Sequence, residues 1–410
     1  MRSMTRILAK EQRKGRIDLS DWRVMGVLPN IQLLKSIDSE WIALAPYKDD
    51  RVRRLCREQP KLRQFLNSFT DAFKVKVHPA AILLRADAPD ALRNVSAIAS
   101  FRDAVAISVV PYCRALRMVN QQTHRVGFSN AFWIHPWMLG RSGEDLFTST
   151  PGLLAVHDVA AFRGQTTPEI SHMPLSRSDI DLPLLSELLK RWERSYMSRR
   201  PKWKDRALFR SLNMAFQASQ LPGGIDSTYL DVGRIVALWV SACEILVHPG
   251  GKGRSDLFKV YDSLAQAEWL LGHARKRRYK AYKRSGRQVL ACWIYGRMYQ
   301  VRNDFLHGNK IDSRKLMIMP ASLPLFQFPA PVYRMLLASV LPLRFRLKKL
   351  SVKRPDEFGS EIARQSDFRG FQRTMEQAIL MSRGFSPSVS RRTGRAVTSR
   401  PRRAPQTDEE

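Results

Sequence analysis

The stretch "DVGRIVALWVSACEILVH" (231–248) is apolar almost all the way round a helix: Val232, Ile235, Val236, Trp239, Cys243 and Leu246 form the main stripe, and Leu238, Val240, Ile245 and Val247 widen it. A helix without a polar face has to be enclosed, because any flank left in water forfeits the free energy of burying it. The chain must therefore supply a shell of amphipathic partners. "PLLSELLKRWERSY" puts Leu184, Leu188, Leu189 and Trp192 on one stripe, and "ALFRSLNMAFQAS" repeats the spacing with Leu208, Leu212 and Phe216 until "PGG" stops it. After "PGGKG", Ser255 is placed to cap a helix through Leu257, Val260, Tyr261, Leu264 and Leu271. Leu290, Trp293, Ile294, Met298, Val301 and Phe305 mark the last clear helix. Four such helices with short polar connections predict an antiparallel bundle over residues 185–312.

The rest of the chain is less regular. At 410 residues it exceeds the size at which one core usually stops growing, so two domains and a tail are expected. Residues 1–184 read as an α+β domain of no assignable type. "FKVKVHPAAILLRA" alternates and then runs apolar, as a strand or two would, with Pro79 as a break. Ile98, Phe101, Val105 and Val109 keep helical spacing, although Pro111 should end or kink that helix. "FSNAFWIHPWML" reads as core. "PASLPLFQFPAPVY" is too proline-rich for regular structure, within a helical extension over 313–384; residues 385–410 lack core formers and read as a disordered basic tail. The expected class is mainly α: an N-terminal α+β domain, a helical bundle and a helical C-terminal extension.

Charge constrains the partner. Against 37 Asp+Glu stand 69 Lys+Arg, a formal net charge of +32, more than solubility requires. RNA, DNA and an anionic membrane surface all offer the phosphates such a surface would attract. Cys56, Cys113, Cys243 and Cys292 are widely separated and form no C-x-x-C pair, which suggests neither a zinc site nor a disulfide framework and suits a reducing cytoplasm. "MRSMTRILAKEQRKGR" lacks the apolar core of a secretory signal. "IVALWVSACEILV" and "RMLLASVLPLRFRL" fall short of the roughly 20 residues a bilayer needs, so no membrane span is expected. His78, His124, His135, His157 and His172 are scattered without ligand spacing, and "HPGGKGRSD" reads as a turn. No metal or other cofactor is expected.

The chemistry-bearing stretch is "VRNDFLHGNK" (301–310), at the end of the last bundle helix. Together with "LWVSACEILV", about 55 residues upstream, "IYGRMYQVRNDFLHG" resembles the Apea-like branch of the HEPN superfamily over about residues 205–312. "RNDFLHG" matches that superfamily's R-x(4–6)-H signature, with Asn following Arg. The resemblance implies a helical bundle that often dimerises. It also implies a metal-independent ribonuclease site of Arg302, Asn303 and His307, with Glu244 at the acidic position of the upstream motif and Cys243 where many relatives carry a bulkier apolar residue. Some members of the superfamily have lost catalysis and only bind. By analogy, a prokaryotic defence or stress role is implied, with the N-terminal domain answering to an unknown partner or trigger.

These residue types suit the chemistry. A ribonuclease that works without metal uses the 2′-hydroxyl as nucleophile, so one group must take its proton and another must neutralise the phosphorane. Histidine exchanges protons near neutral pH, and arginine offers a permanently charged fork matched to phosphate oxygens. Asn303 would orient the histidine or bind the phosphate. Positions five apart lie about 140° apart around a helix, so Arg302 and His307 do not share a face, whereas Asn303 and His307, four apart, do; convergence of all three is easier across a homodimer two-fold, unless a frayed last turn at Gly308 completes the site within one chain. Just upstream, "HARKRRYKAYKRSGR" (273–287) interleaves aromatics with charge. Arg275, Lys276, Arg277, Arg278, Lys280, Lys283 and Arg284 would track an RNA backbone while Tyr279 or Tyr282 stacks a base. A rival explanation needs no substrate: His307 and the following glycine simply end a helix, Arg302 pairs with Glu244, and the protein is a binding scaffold.

Overall fold

The computed structural model describes residues 22–71, 73–121, 126–139, 146–148, 155–156, 174–221, 226–341, 343 and 355–385. Four strands, β1 (Trp22–Leu28), β2 (Ile37–Asp38), β3 (Ile42–Ala45) and, after the helices α1 (Asp50–Glu58) and α2 (Pro60–Asn67), β4 (Ala80–Arg85), make an antiparallel sheet in the order β1-β4-β3-β2. Side chains of a strand alternate between the two faces. Ile42, Leu44, Ile82 and Leu84 accordingly enter one buried cluster, while Ala43, Ala45, Ala81 and Leu83 enter another with Val52, Leu55, Leu62 and Phe65 of α1 and α2. Both faces are covered, which is why "AAILLR" has no polar side. The "FKVKV" ahead of Pro79 makes only an isolated bridge, Thr70 to Lys76.

The first of those clusters continues into the helices through α3 (Val95–Asn120), capped by the Asn94 side chain, which accepts from the Ala97 N–H at 2.9 Å. This helix continues past Pro111 instead of ending there. An interior proline costs about 3 kcal/mol, but α3 is buried on every side, from Phe101 through Val105 and Val110 to Ala115, and its packing outweighs that loss. Its Ser108 carbonyl also accepts from the Asp181 backbone N–H at 2.8 Å. By length and composition α3 is apolar enough to cross a membrane, yet 72% of its most apolar window is buried inside the protein. It is a core helix here.

After a small sheet of β5 (Trp137–Leu139), β6 (Leu146–Thr148) and β7 (Ala155–Val156), the helices follow as the apolar spacing predicts: α4 (Leu182–Met197), α5 (Trp203–Ala218) and α6 (Tyr229–Val247). Helix α6 is the all-round apolar segment, opened by a capping box between Thr228 and Asp231. It packs most closely on α5, antiparallel to it: the Trp203 indole reaches the His248 carbonyl (3.4 Å) at one end, and Ser211 Oγ donates to the Ala242 carbonyl (2.7 Å) further along. Helix α7 (Leu257–Gln266) is capped by Asp256 rather than Ser255; the Asp256 carboxylate accepts from the Lys259 N–H at 2.9 Å. Then come α8 (Gly272–Arg275), the two-stranded β8 (Tyr279–Lys280) and β9 (Arg287–Gln288), and α9 (Leu290–Leu306).

The proline-rich stretch is regular after all. Beyond the short pair β10 (Met317–Ile318) and β11 (Leu323–Pro324) it forms α10 (Pro329–Val340), and α11 (Pro355–Met381) closes the described chain. Pro329 and Pro331 sit in the first turn of α10, where a helix has no use for their missing N–H groups. The molecule is mainly helical with an α+β N-terminal part. A boundary at 184 falls inside α4, and one buried cluster runs from Leu28 of β1 to Leu380 of α11. The expected C-terminal extension packs into that cluster, α11 lying against α3. From residue 386 on, the basic tail lies outside the described residues.

Among the apolar helices lies a polar network that hydropathy does not reveal. Arg334 of α10, with no exposed surface, pairs with Asp181 at the start of α4 (2.9 Å) and donates to Gln372 of α11. Gln372 in turn donates to Glu376 at 2.9 Å, and the two Glu376 oxygens accept from the Leu270 and Leu271 N–H groups at 2.8 and 2.7 Å. Three helices and the approach to α8 are joined by it.

Candidate functional site

The apolar run of α9 buries Leu290, Ile294, Met298 and Val301 and stops because glycine follows His307. Gly308 takes φ +69°, a left-handed turn that favours glycine, and the Gly308 and Asn309 N–H groups return to the Phe305 (3.4 Å) and Asp304 (2.9 Å) carbonyls. This is a Schellman ending, with His307 as its cap residue. Asp304 fastens the chain beyond it, accepting from Lys315 Nζ at 2.9 Å and Asn309 Nδ2 at 3.1 Å, and the Lys315 hydrogen bond holds its carboxyl below the usual range.

Arg302 lies one turn before this ending, three-quarters buried. Its Nη1 donates to Asn303 Oδ1 at 3.0 Å, its Nη2 stands 3.8 Å from Glu244 Oε2 on α6, and its Nε is buried without an acceptor. A direct charge-assisted bond would be about 2.7–2.9 Å, so the guanidinium is held but not saturated. Burial raises the Glu244 carboxyl above its ordinary value and Asp256 adds to that, while Arg302 pulls it down. His307 is exposed. A single chain thus brings Glu244 and Asn303 to Arg302 and leaves His307 about 7.5 Å further along the axis, on a different face from Arg302 although about 40° from Asn303. Beside His307 in the chain Leu306 is 55% exposed, and at the start of α6 Tyr229 (55%) and Leu230 (57%) are exposed as well. One turn on, Gly233 of α6 lies against Phe305 and Ile311, just before and after His307.

The basic segment is folded onto the same helix. Seven cations, Arg275, Lys276, Arg277, Arg278, Lys280, Lys283 and Arg287, are exposed. Arg284 is engaged instead, 2.8 Å from Asp262 and 5.3 Å over the Phe258 ring. Its two tyrosines separate. Tyr279 is covered by the Arg383 guanidinium at 5.0 Å, which also lies 4.1 Å over Trp293. Tyr282 instead neighbours Tyr299 of α9 (6.4 Å between centroids), and the Arg302 guanidinium lies 5.5 Å from the Tyr299 ring. Nothing in the basic segment alone distinguishes these two tyrosines. Tyr299 was legible only as one helical turn ahead of Arg302.

Glycine makes this approach possible. A Cβ on Gly296 would stand 2.6 Å from the Tyr261 hydroxyl and 3.1 Å from both the backbone nitrogen and the Cβ of Tyr282, while Tyr261 also donates to the Tyr282 carbonyl at 3.1 Å. Because two of those three atoms are main chain or next to it, they cannot swing aside as a flexible tip would. Gly296→Ala is expected to lower stability by about 1–3 kcal/mol, an overpacking cost, and to loosen the basic segment from α9. Urea unfolding measures the first and proteolysis between 276 and 287 the second; wild-type values in both would show the close approach to be dispensable.

The remaining candidates are structural. Cys56, Cys113, Cys243 and Cys292 are buried and joined in no disulfide, and burial pushes the Cys292 thiol up to about 12. His78 stacks on Tyr47 and His135 packs edge-on to Phe69, with burial drawing His135 down to about 4. His124, His157 and His172 lie outside the described residues. Among the described residues no group of three His, Cys, Asp or Glu side chains is placed to hold a metal ion. Comparison with known protein families, with curated proteins and with solved structures finds no match.

Proposed function

We propose that this protein binds RNA on the basic segment and cleaves it, without a metal, at the end of α9, in the manner of a HEPN-like endoribonuclease. One observation carries the reading: the close approach at Gly296 fixes a segment with seven exposed cations to the very helix that bears Arg302, Asn303 and His307. Electrostatic attraction to phosphate and the catalytic side chains are thereby held in one rigid unit.

In this reading Arg302 neutralises the phosphorane and Asn303 orients the histidine or binds the phosphate. His307 takes the 2′-hydroxyl proton as the 2′-oxygen attacks phosphorus and, now protonated, gives a proton to the 5′-oxygen as the P–O5′ bond breaks. The products are a 2′,3′-cyclic phosphate and a 5′-hydroxyl. A second copy, docked through the exposed Leu306, Tyr229 and Leu230, would bring His307 of one chain towards Arg302 of the other.

A second reading has its own observation. Arg302 already faces Glu244 and the Schellman turn fully accounts for Gly308, which suits a non-catalytic RNA-binding or protein-binding scaffold. Incubation with total RNA in EDTA separates the two. Cleavage to cyclic-phosphate ends is expected of the wild type and not of a folded Arg302→Ala/His307→Ala double variant; binding without cleavage, equal in both, selects the scaffold.

A further inference from the structure

We propose that Tyr282 and Tyr299 form a stacking platform for an unpaired base, so that the surface leading to Arg302 takes single-stranded rather than duplex nucleic acid. The inference rests on the nucleic-acid binding in the reading above, not on cleavage. Its basis is a continuous row: the Lys283 ammonium 5.3 Å from the Tyr282 ring, that ring 6.4 Å from Tyr299, and the Arg302 guanidinium 5.5 Å from Tyr299 on the helix beyond.

Two features single out these rings among the tyrosines nearby. Tyr261 and Tyr295 are wholly buried and serve the core, and Tyr279, half-buried like the pair, is paired with Arg383, which it shares with Trp293 and which lies off the row leading to Arg302. Tyr282 and Tyr299 pack partly against the core, Tyr299 meeting Tyr295 at 6.5 Å, but each keeps part of its surface open, and a stacked base can displace or slide beneath the cation beside each ring. Cations alone would attract any polyanion, duplex included. Aromatic rings gain only from a base with a free face, and a duplex hides those faces in its own stack. A ring pair between a cationic track and a phosphate-binding arginine therefore acts as a filter: charge supplies affinity, stacking supplies the preference for unpaired strands.

The test uses a substrate that cannot be cleaved, so it stays independent of catalysis. Fluorescence anisotropy compares the full-length protein on labelled oligo-deoxythymidine of about twelve nucleotides with a DNA duplex of equal length, across a salt series. Wild-type protein should prefer the single strand. Tyr282→Leu should weaken single-strand binding about tenfold while leaving duplex binding and the salt slope unchanged, because no charge is removed. Tyr282→Phe keeps the ring and should bind as wild type, which separates lost stacking from a disturbed fold. A contrasting pair, Lys276→Ser with Arg277→Ser, should weaken both substrates and flatten the single-strand salt slope by roughly 0.7 for each phosphate that is no longer neutralised. Equal affinity of the wild type for both substrates, or an unchanged single-strand affinity in Tyr282→Leu, overturns the proposal. If ribonuclease activity is absent but the single-strand preference and its loss in Tyr282→Leu are observed, only the catalytic reading falls.

Discussion

Arg334→Ala is expected to cost about 3–5 kcal/mol, a large share of the stability of a protein of this kind. The side chain is wholly buried, and removing it strands Asp181, also wholly buried, with a charge whose cation is gone. It also leaves Gln372 without its guanidinium partner, loosening the group that donates to Glu376. An Arg334→Met variant tests the physics further: it restores volume but no charge, and should be as unstable as the alanine variant unless Asp181 is neutralised too. Arg334→Met/Asp181→Leu should recover much of the loss, since an apolar replacement of a whole buried pair is often neutral.

The same network has a pH signature. Burial holds the Glu376 carboxyl above its ordinary value of 4.5, against the lowering pull of the Leu270 and Leu271 N–H groups, Gln372 and Arg334. A carboxyl raised on folding stabilises fully below its unfolded value, and that contribution is lost as pH rises through the folded one. Taking away Arg334 removes one of the lowering influences and raises Glu376 further, so the Arg334→Ala deficit should be smaller in mild acid than at alkaline pH. Chemical denaturation at the two ends of that range decides; a deficit that grows in acid would overturn the part assigned to Glu376.

How much of this the sequence disclosed follows from what periodicity measures. It located α4 to α7 and α9 because each buries an apolar stripe, which in α6 is wide but leaves Tyr229, Leu230 and Arg234 exposed near its start. It gave no warning of Arg334, because a basic residue in an apolar helix looks like a solvated edge until its partners arrive from 153 and 38 positions away. The sheet faces were equally hidden: "IALA" and "AAILLR" are covered on both sides and lack the alternation of a one-sided strand. Prolines misled in opposite ways. Pro111 sits where burial outweighs a lost hydrogen bond, and Pro329 and Pro331 sit where no bond was needed. At the candidate site, Arg302, Asn303 and His307 stood out as a string, but the line from Tyr282 through Tyr299 to Arg302 exists only because Gly296 lets two segments touch.

On the proposed ribonuclease reading, loss of cleavage in single-site variants is the largest effect expected, and its pattern says more than its size. Removing a proton-transfer group generally costs about 10²–10⁴ in rate, and removing one preorganised donor to a developing anion about 10²–10³. His307→Ala should fall in the first range and Arg302→Ala in the second. If both act in one transition state the double variant should be little worse than His307→Ala alone. Arg302→Lys should not rescue, since a point charge lacks the fork that spans two phosphate oxygens and also contacts Asn303. Because the chain leaves Arg302 and His307 on different faces of α9, mixing the folded Arg302→Ala and His307→Ala proteins offers a further measurement. In a site shared between two copies, a mixed dimer contains one intact pairing, and activity should return on mixing, rising with the fraction of mixed dimers. In a site within one chain, mixing restores nothing. Activity that survives each variant alone would instead remove both residues from the chemistry and leave α9 as the support on which the basic segment is held.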